Sequence, residues 1–330
     1  PLSDSRAALH EDGMTAGMLL LACTLDAVLG DPRWLPHPVR LMGRTIAWYE
    51  QGVRRVAAHR TGALVAGIVL AVGLPAVSYS VAWLAIEWLG RVHEVAGKGM
   101  EVLLAFTTLA SRDLADHVVK VWRALEAGSL EDARVAVARI VGRDTAQLSE
   151  AEVVRATVET VAESTSDGIV APLFFLVLGG APLALAYKAI STLDSMVGHL
   201  DDRYRDFGWA SARLDDAANW IPARVTALAI VASAGVVFRT GETMKRAWYI
   251  LRRDGKKHAS PNSGRPEAAM AGALGVQLGG INAYEGIPTE RPVLGESIRA
   301  LNPDRIGEAL RVMWTVFGLT ALLAAGLLLL

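Results

Sequence analysis

Cysteine is almost missing from this sequence: Cys23 is its one thiol. An intrachain disulfide is therefore excluded, as is a metal site built on paired cysteines. Charge is scarce as well, at 20% of 330 residues, where a soluble domain carries roughly 25%. The charges also cancel to a formal net of −1, so no whole-chain field draws the protein to nucleic acid. There is no GxxxxGK[ST] stretch, which removes a P-loop as a route to nucleotide binding. Repeats of fixed period and low-complexity tracts are lacking too.

What is present is apolar length. Hydrophobic residues make up 52% of the chain and the mean hydropathy is +0.32. With about 20 apolar residues needed to cross a bilayer as a helix, this is the composition of an integral membrane protein. The expected fold is all-α and polytopic, a single membrane domain with four to six apolar helical segments. They fall near 14–29, 61–88, 100–114, 168–187, 220–238 and 310–330. The first reads as a retained span carrying Asp26, without a small-residue cleavage site after it. Pro75 is expected to kink the second, and the third is short. The fourth is interrupted by Gly179-Gly180-Ala181-Pro182, a break suited to a re-entrant hairpin.

The polar stretches between these segments are 31–60, 112–167 and 239–309, and all are rich in Lys and Arg. The positive-inside rule places them on the cytoplasmic face. Pro32, Pro36 and Pro38 stiffen the first, each fixing its own φ and restricting its predecessor. His37 between two of them is a loop-packing residue before it is a ligand. In the second, Gly128 ends one amphipathic helix, Ser129 caps the next with Asp132 at its third position, and Ser149 caps another.

Acidic residues crowd the ends of the fourth apolar segment. Arg155, Glu159, Glu163 and Asp167 follow one another at four-residue spacing, so they form one helical stripe. Like charges so spaced repel by a few tenths of a kcal/mol per pair, which calls for open water or a cation. Beyond the segment stand Asp194, Asp201, Asp202, Asp206, Asp215 and Asp216, with Gly198 expected to leave room for a ligand between the acids of its helix face. Carboxylates beside hydrocarbon are costly unless paired, and the interspersed Lys188, Arg203, Arg205 and Arg213 suit metal and phosphate. If the fourth segment folds back at its glycine break, Asp167 and Asp194 reach the same side and can share a cation. Further on, SPNSGRPEAA reads as an anion loop: Ser260, Asn262 and Ser263 offer donors, Gly264 frees the backbone, and Glu267 enters a helix behind Pro266. His258, beside Lys256 and Lys257, is a candidate for proton transfer.

With GDPRWLPHPVRLMG, IVGRDT, AESTSDGIVAP, STLDSMVGHLDDRYRDFGWASARLDDAANWIPAR and HASPNSGRPEAAMAGALG in this order, the chain resembles the CobD/CbiB family of cobalamin biosynthesis over roughly residues 20–290. It departs from the family pattern at Ser164, Ser191 and Arg265. The resemblance implies an inner-membrane adenosylcobinamide-phosphate synthase, which joins aminopropanol or its O-phosphate to adenosylcobyric acid through an amide, using ATP and Mg²⁺. Under it, Glu163, Asp167, Asp194 and His258 are the candidate catalytic residues, with Asp167, Asp194 and Asp201 as candidate metal ligands alongside Glu163. Arg143, Lys188 and Arg203 are candidates for phosphate. Asp215, Asp216, Asn219, Ser260, Asn262 and Glu267 are carried over as binding residues. The implied partners are the corrinoid, the amine and membrane lipid, with no nucleic acid; other corrinoid-pathway enzymes and a homo-oligomer are compatible with it. Two other readings compete. Asp167-Gly168-x2-Ala171 and Gly198-x3-Asp202-x3-Asp206 resemble pieces of a membrane alcohol phosphotransferase signature, although Pro172 follows the alanine. The broken apolar runs and Asp26 suit a transporter or scaffold.

Overall fold

Capping and periodicity account for most of the backbone. The computed structural model describes residues 13–32, 34, 37–56, 59–199 and 201–330; Arg33, Leu35 and Pro36 of the first basic loop lie outside them. The helices in order are α1 (Ala16–Leu29), α2 (Pro38–Val56), α3 (Arg60–Val92), α4 (Glu94–Phe106), α5 (Ser111–Glu126), α6 (Leu130–Val137), α7 (Glu150–Thr165), α8 (Ala171–Val197), α9 (Trp209–Ala218), α10 (Trp220–Phe238), α11 (Gly241–Asp254) and α12 (Gly264–Leu274). A hairpin of β1 (Gln277–Tyr284) and β2 (Ile287–Gly295) follows, then α13 (Asp304–Leu327). Ser149 and Glu152 form a reciprocal box at the start of α7: Ser149 Oγ accepts from Glu152 N–H at 3.4 Å, and Glu152 Oε2 accepts from Ser149 N–H at 2.8 Å. Ser129 Oγ likewise accepts from Asp132 N–H at 3.3 Å.

Among the described residues, four helices are long and apolar enough to cross a membrane: Arg60–Val92, the run Glu150–Val197, Trp220–Phe238 and Asp304–Leu327; Ala16–Leu29 is a shorter apolar helix. The expected segment at 100–114 is divided instead. α4 stops at Phe106, α5 starts at Ser111, and neither reaches spanning length. α3 continues through Pro75. The helix expected after the Ser149 cap is present and leads into the Glu150–Val197 run, and it is buried over Val153–Glu159.

Two departures from regular helix matter. Over Ser166–Val170 the helix widens into a π turn, with Ala171 N–H reaching back to Ser166 O. Such bulges collect at functional sites; here Gly168 O is left to accept from Ala110 N–H at 3.0 Å. Within α8 the expected break is present: Gly179 (φ −165°, ψ 28°) and Gly180 (φ 64°, ψ −164°) leave helical geometry. The N–H of Ala181, which loses its helical acceptor there, donates to the buried Glu101 Oε1 at 2.8 Å. A side chain at Gly180 would place its Cβ 2.4 Å from that oxygen, so only glycine allows the contact.

The chain divides into two units. Pro1–Leu109, Pro172–Ala218 and Ala321–Leu330 make the first. Its core sets Ile46, Leu70, Leu193, Val197 and Phe207 together, with Met42, Ala82, Leu185 and Ala189 as a second cluster. Ala110–Ala171 and Asn219–Thr320 make the second. There α12 is buried along its length by small side chains, and a Cβ on Gly272 would meet Ala247 Cα at 2.7 Å, which shows how closely α11 and α12 approach. The hairpin turns at Glu285-Gly286, both with positive φ (50° and 78°), the backbone of a type I′ turn that matches strand twist.

Candidate functional site

The second unit gathers its ionisable groups where α7, the hairpin and the 255–263 loop come together. Arg155 and Glu159, one helical turn apart on α7, are both buried, and the hairpin satisfies them. Glu159 Oε1 accepts from Gly279 N–H at 2.8 Å. Its Oε2 accepts from Arg143, whose other arm donates to Asn282 Oδ1 at 2.7 Å. Arg155 donates to Gly279 O, to Ile281 O at 2.9 Å and to Asn282 Oδ1 at 3.1 Å. A bulge between Leu278 and Gly280 makes this possible. Gly279 sits at φ 78°, and a Cβ there would come within 2.0 Å of Pro292 O, so a side chain would destroy the turn of backbone that presents both its N–H and its C=O to α7. The 143–144 segment is tied on as well, Asp144 N–H donating to Ala283 O at 2.9 Å and Gly286 N–H to Asp144 Oδ2 at 2.7 Å.

On this frame stand groups that the frame does not consume. Glu163, one turn beyond Glu159, remains exposed to solvent. Glu267 is 3% exposed. Burial first, then the negative charges of Glu163 and Glu159, push its carboxyl well above the usual carboxylate range, with Arg291 and Arg143 pulling it partly back. His258 is shifted the other way: burial and the charge of Arg291 lower it below an ordinary imidazole, so it is neutral at pH 7. Its Nδ1 accepts from Ser260 N–H at 3.1 Å, which places the ring proton on Nε2. The loop closes through Ser260 Oγ, which accepts from Asn262 N–H at 3.2 Å and Ser263 N–H at 3.4 Å. The site thus offers one solvent-reachable carboxyl, one buried carboxyl raised by its burial and by neighbouring acids, and an imidazole N–H within the influence of the Arg291 charge.

Several expected site residues are placed here and others are not. Glu163, Asp167, Arg143, His258, Ser260, Asn262, Glu267 and Asn219 belong to the second unit; Lys188, Asp194, Asp201, Arg203, Asp215 and Asp216 belong to the first. Arg143 is corrected from a phosphate contact to a structural one, because Glu159 and Asn282 hold both arms of its guanidinium. His258 is corrected in direction: with Nδ1 engaged, it presents a donor where a proton acceptor was expected. Asp201 Oδ1 is spent on the N–H groups of Arg203 (2.8 Å) and Tyr204 (3.0 Å), the work of a turn cap. Arg203 pairs with Glu50 at 2.9 Å. The space expected at Gly198 is taken by its own helix, since a Cβ there would lie 2.0 Å from Asp194 Oδ1. In Asp216, burial raises the carboxyl and Arg213 only partly offsets it. Asn219 is buried at the start of α10 and its carbonyl accepts from Ala223 N–H at 3.0 Å. Sequence reasoning assigned no role to Arg155, Glu159, Asn282 or Arg291. The first two had a signal in their stripe; the others sit on strands whose glycines and prolines hide the alternation.

Among the described residues no group of three or more His, Cys, Asp or Glu is arranged to hold a metal ion. Mg²⁺ does not need one, since it binds through one or two carboxylates with waters and substrate phosphates. Glu163 and Glu267 fit that requirement, because after burial it is the neighbouring acids that push the Glu267 carboxyl up, and a divalent cation would relieve that repulsion.

Behind the loop, Asp254 is fully buried and receives Gly295 N–H at 2.8 Å, two bonds from Arg253 at 2.8 Å and Lys257 Nζ at 2.7 Å. Burial opposes its ionisation, but the Arg253, Lys257 and Gly295 donors together hold its carboxyl far below its ordinary value of 3.8. A depressed folded value contributes stability that is complete above the unfolded value and is lost as pH falls through the folded one. Asp254→Asn should therefore cost about 1–3 kcal/mol at neutral pH, and its deficit against wild type should shrink below pH 3.8. Thermal unfolding in detergent from pH 7 downward measures this; a deficit independent of pH would contradict it.

The profile of the CobD/Cbib protein family matches residues 19–313. "Cobalamin biosynthesis protein CobD" of Geobacter metallireducens is 49% identical over 308 residues, 93% of this chain and 95% of the relative. "Cobalamin biosynthesis protein CbiB" of Salmonella typhi is 45% identical over 304 residues, covering 91% and 93%. The Klebsiella pneumoniae CobD protein is 44% identical, covering 95% and 97%. No solved structure matches.

Proposed function

The chain belongs to the CobD/CbiB protein family and serves cobalamin biosynthesis, and on that premise we propose that it is an amide ligase joining aminopropanol, or its O-phosphate, to adenosylcobyric acid. The observation that supports this reading is that Glu163, Glu267, His258 and Arg291 gather about one buried frame, near enough for their charges to act on one another. A carboxylate and an ammonium do not condense in water. ATP with Mg²⁺, when bound, supplies the activation that turns the corrinoid carboxylate into an acylating group with a phosphate-type leaving group.

The residues divide the remaining work. Glu163, exposed at the edge of the frame, attracts the incoming ammonium and takes its proton, leaving the neutral amine to attack. Glu163 and Glu267 are the residues that would hold the cation. His258 Nε2–H and the loop donors face the anionic side of the reaction, a task of positioning and charge neutralisation. The alcohol phosphotransferase and transporter readings have no observation of this kind behind them.

The test is incubation of the detergent-solubilised protein with adenosylcobyric acid, ATP, Mg²⁺ and each amine, followed by mass analysis. A product heavier by the amine minus water supports the proposal. No mass gain with either amine would overturn it.

The site is placed on the cytoplasmic face in this reading, because 239–309 is dense in Lys and Arg. In a Cys23→Ser background, Lys256→Cys should resist an impermeant thiol reagent added to intact cells and react after lysis. Labelling from outside would refute the orientation.

A further inference from the structure

We infer that the groove between α5 and α6 is a binding site for one inorganic phosphate, held by His117, Lys120 and Arg139. It shares no residue with the site described above and does not depend on the ligase reading.

A helical hairpin makes the groove. α5 contributes His117, Lys120 and Ala124, and α6 contributes Asp132, Ala136 and Arg139; spacings of three, four and seven put each set on one stripe of its helix. The chain reverses around Gly128, with Ser129 N–H donating to Ala124 O at 3.0 Å. In the antiparallel pair that follows, Ala124 and Asp132 stand near the turn, while His117 and Arg139 stand at the far end. Ala124 and Ala136 are too short to fill the space between the helices. They leave a cavity of about 230 Å³, with the exposed Val135 on its wall. Pockets for organic ligands usually take about 300–1,000 Å³, so this one suits a small ion.

Charge is sorted along the groove. Lys120 and Arg139 are exposed, and among the described residues neither side chain makes a hydrogen bond or ion pair. Two cations on a cavity wall without a carboxylate between them favour an oxyanion. The one acid, Asp132, lies near the turn, about 10 Å along the helix axis from the His117 end. Its carboxylate already accepts from Ser129 Oγ at 2.7 Å. A row of phosphates laid along the groove would run into that acid, so the arrangement admits a single phosphate and disfavours di- and triphosphates.

His117 selects among single oxyanions. Its Nδ1 lies 2.9 Å from Asp113 O, with Asp113 Oδ2 at 3.5 Å. A backbone carbonyl only accepts, so Nδ1 carries the proton. With Nδ1 turned back on its own helix, Nε2 is the nitrogen available to a ligand, and in the uncharged ring it is an acceptor. Monohydrogen phosphate has an O–H to give it, while its other oxygens meet Lys120 and Arg139. Sulfate and the phosphodiester of a lipid headgroup have no such proton.

The test is calorimetry on the detergent-solubilised full chain, without corrinoid, amine or nucleotide. Phosphate, sulfate and pyrophosphate are titrated at about pH 8, where an imidazole of ordinary pKa, about 6.5, is uncharged. Wild type should bind one phosphate per chain and prefer it to sulfate by about 10-fold or more, the scale of a hydrogen bond to a charged group. Lys120→Gln and Arg139→Gln should each weaken phosphate by about 10- to 100-fold, and Lys120→Arg should keep most of the affinity. Both glutamine variants change exposed side chains and should melt with wild type, so the loss reads as a lost contact. His117→Phe should bring phosphate down to the level of sulfate. No saturable phosphate binding, unchanged affinity in Lys120→Gln and Arg139→Gln, equal affinity for phosphate and sulfate in wild type, or tighter binding of pyrophosphate would each overturn the assignment. Association with phosphatidylglycerol nanodiscs that needs Lys120 and Arg139 and resists competition by phosphate would overturn it as well, and would make the groove a lipid-headgroup site.

Discussion

Glu159→Ala is expected to produce the largest loss of stability of any single change in this protein. The carboxylate accepts from Arg143 through one oxygen and from Gly279 N–H through the other, and its side chain is only 5% exposed. Its removal strands two buried cations together, since Arg143 and Arg155 are left sharing Asn282 Oδ1. Breaking a buried pair from one side typically costs about 3–5 kcal/mol, because the uncompensated charge stays behind. The hairpin also loses one of the bonds that fix its bulge on α7. The measurement is apparent Tm in detergent, with Asn282→Ala as the milder comparison at about 1–3 kcal/mol. If Glu159→Ala melts with wild type, the buried frame is not what holds the hairpin. Amide formation should fall along with stability, because Arg291 and the frame share the hairpin.

How much of this frame was readable beforehand depends on the range of the interactions involved. The stripe Arg155, Glu159, Glu163 follows from helical spacing, and the caps at Ser129 and Ser149 follow from local hydrogen bonding, so both were legible. The glycine break in α8 was legible for the same reason: two adjacent glycines before a proline cannot continue a helix cheaply. The roles along the stripe were not. Spacing says that such groups share a face, but not that a hairpin more than a hundred residues later covers Arg155 and Glu159 and leaves Glu163 exposed. That hairpin carried little signal of its own, because Pro288 and Pro292 interrupt β2 and the turn is Glu-Gly where Asn-Gly or Asp-Gly would announce it. Arg143 and Arg291 illustrate the consequence. Both are arginines in polar stretches, and only the tertiary contacts show that one is already neutralised. The resemblance to a family supplied the chemistry early, yet it could not sort structural charges from available ones.

The second large effect belongs to Glu163, where activity and stability should separate. It is the member of the stripe that the hairpin does not cover, and among the described residues no hydrogen bond or ion pair holds its carboxylate. Glu163→Gln preserves shape and helix propensity, so apparent Tm should stay at the wild-type value or rise slightly, because a like charge is removed from beside Glu159 and Glu267. Amide formation should nevertheless fall by about 10²–10⁴-fold, the usual contribution of a positioned base. A second consequence distinguishes this role from simple loss of a binding charge. The charge of Glu163 is one of the causes, after burial, that push the Glu267 carboxyl upward, so in Glu163→Gln that carboxyl should return part of the way toward its ordinary value. The acidic limb of the pH profile of the residual activity should then move to lower pH. Protection against heat by Mg²⁺ with ATP should weaken in the same variant, since one of the two carboxylates proposed for the cation is gone. Full activity in Glu163→Gln would remove it from the reaction. Lost activity with an unmoved pH profile and undiminished protection would mean that Glu163 and Glu267 act separately, and that the negative charge gathered on α7 serves something other than the amine.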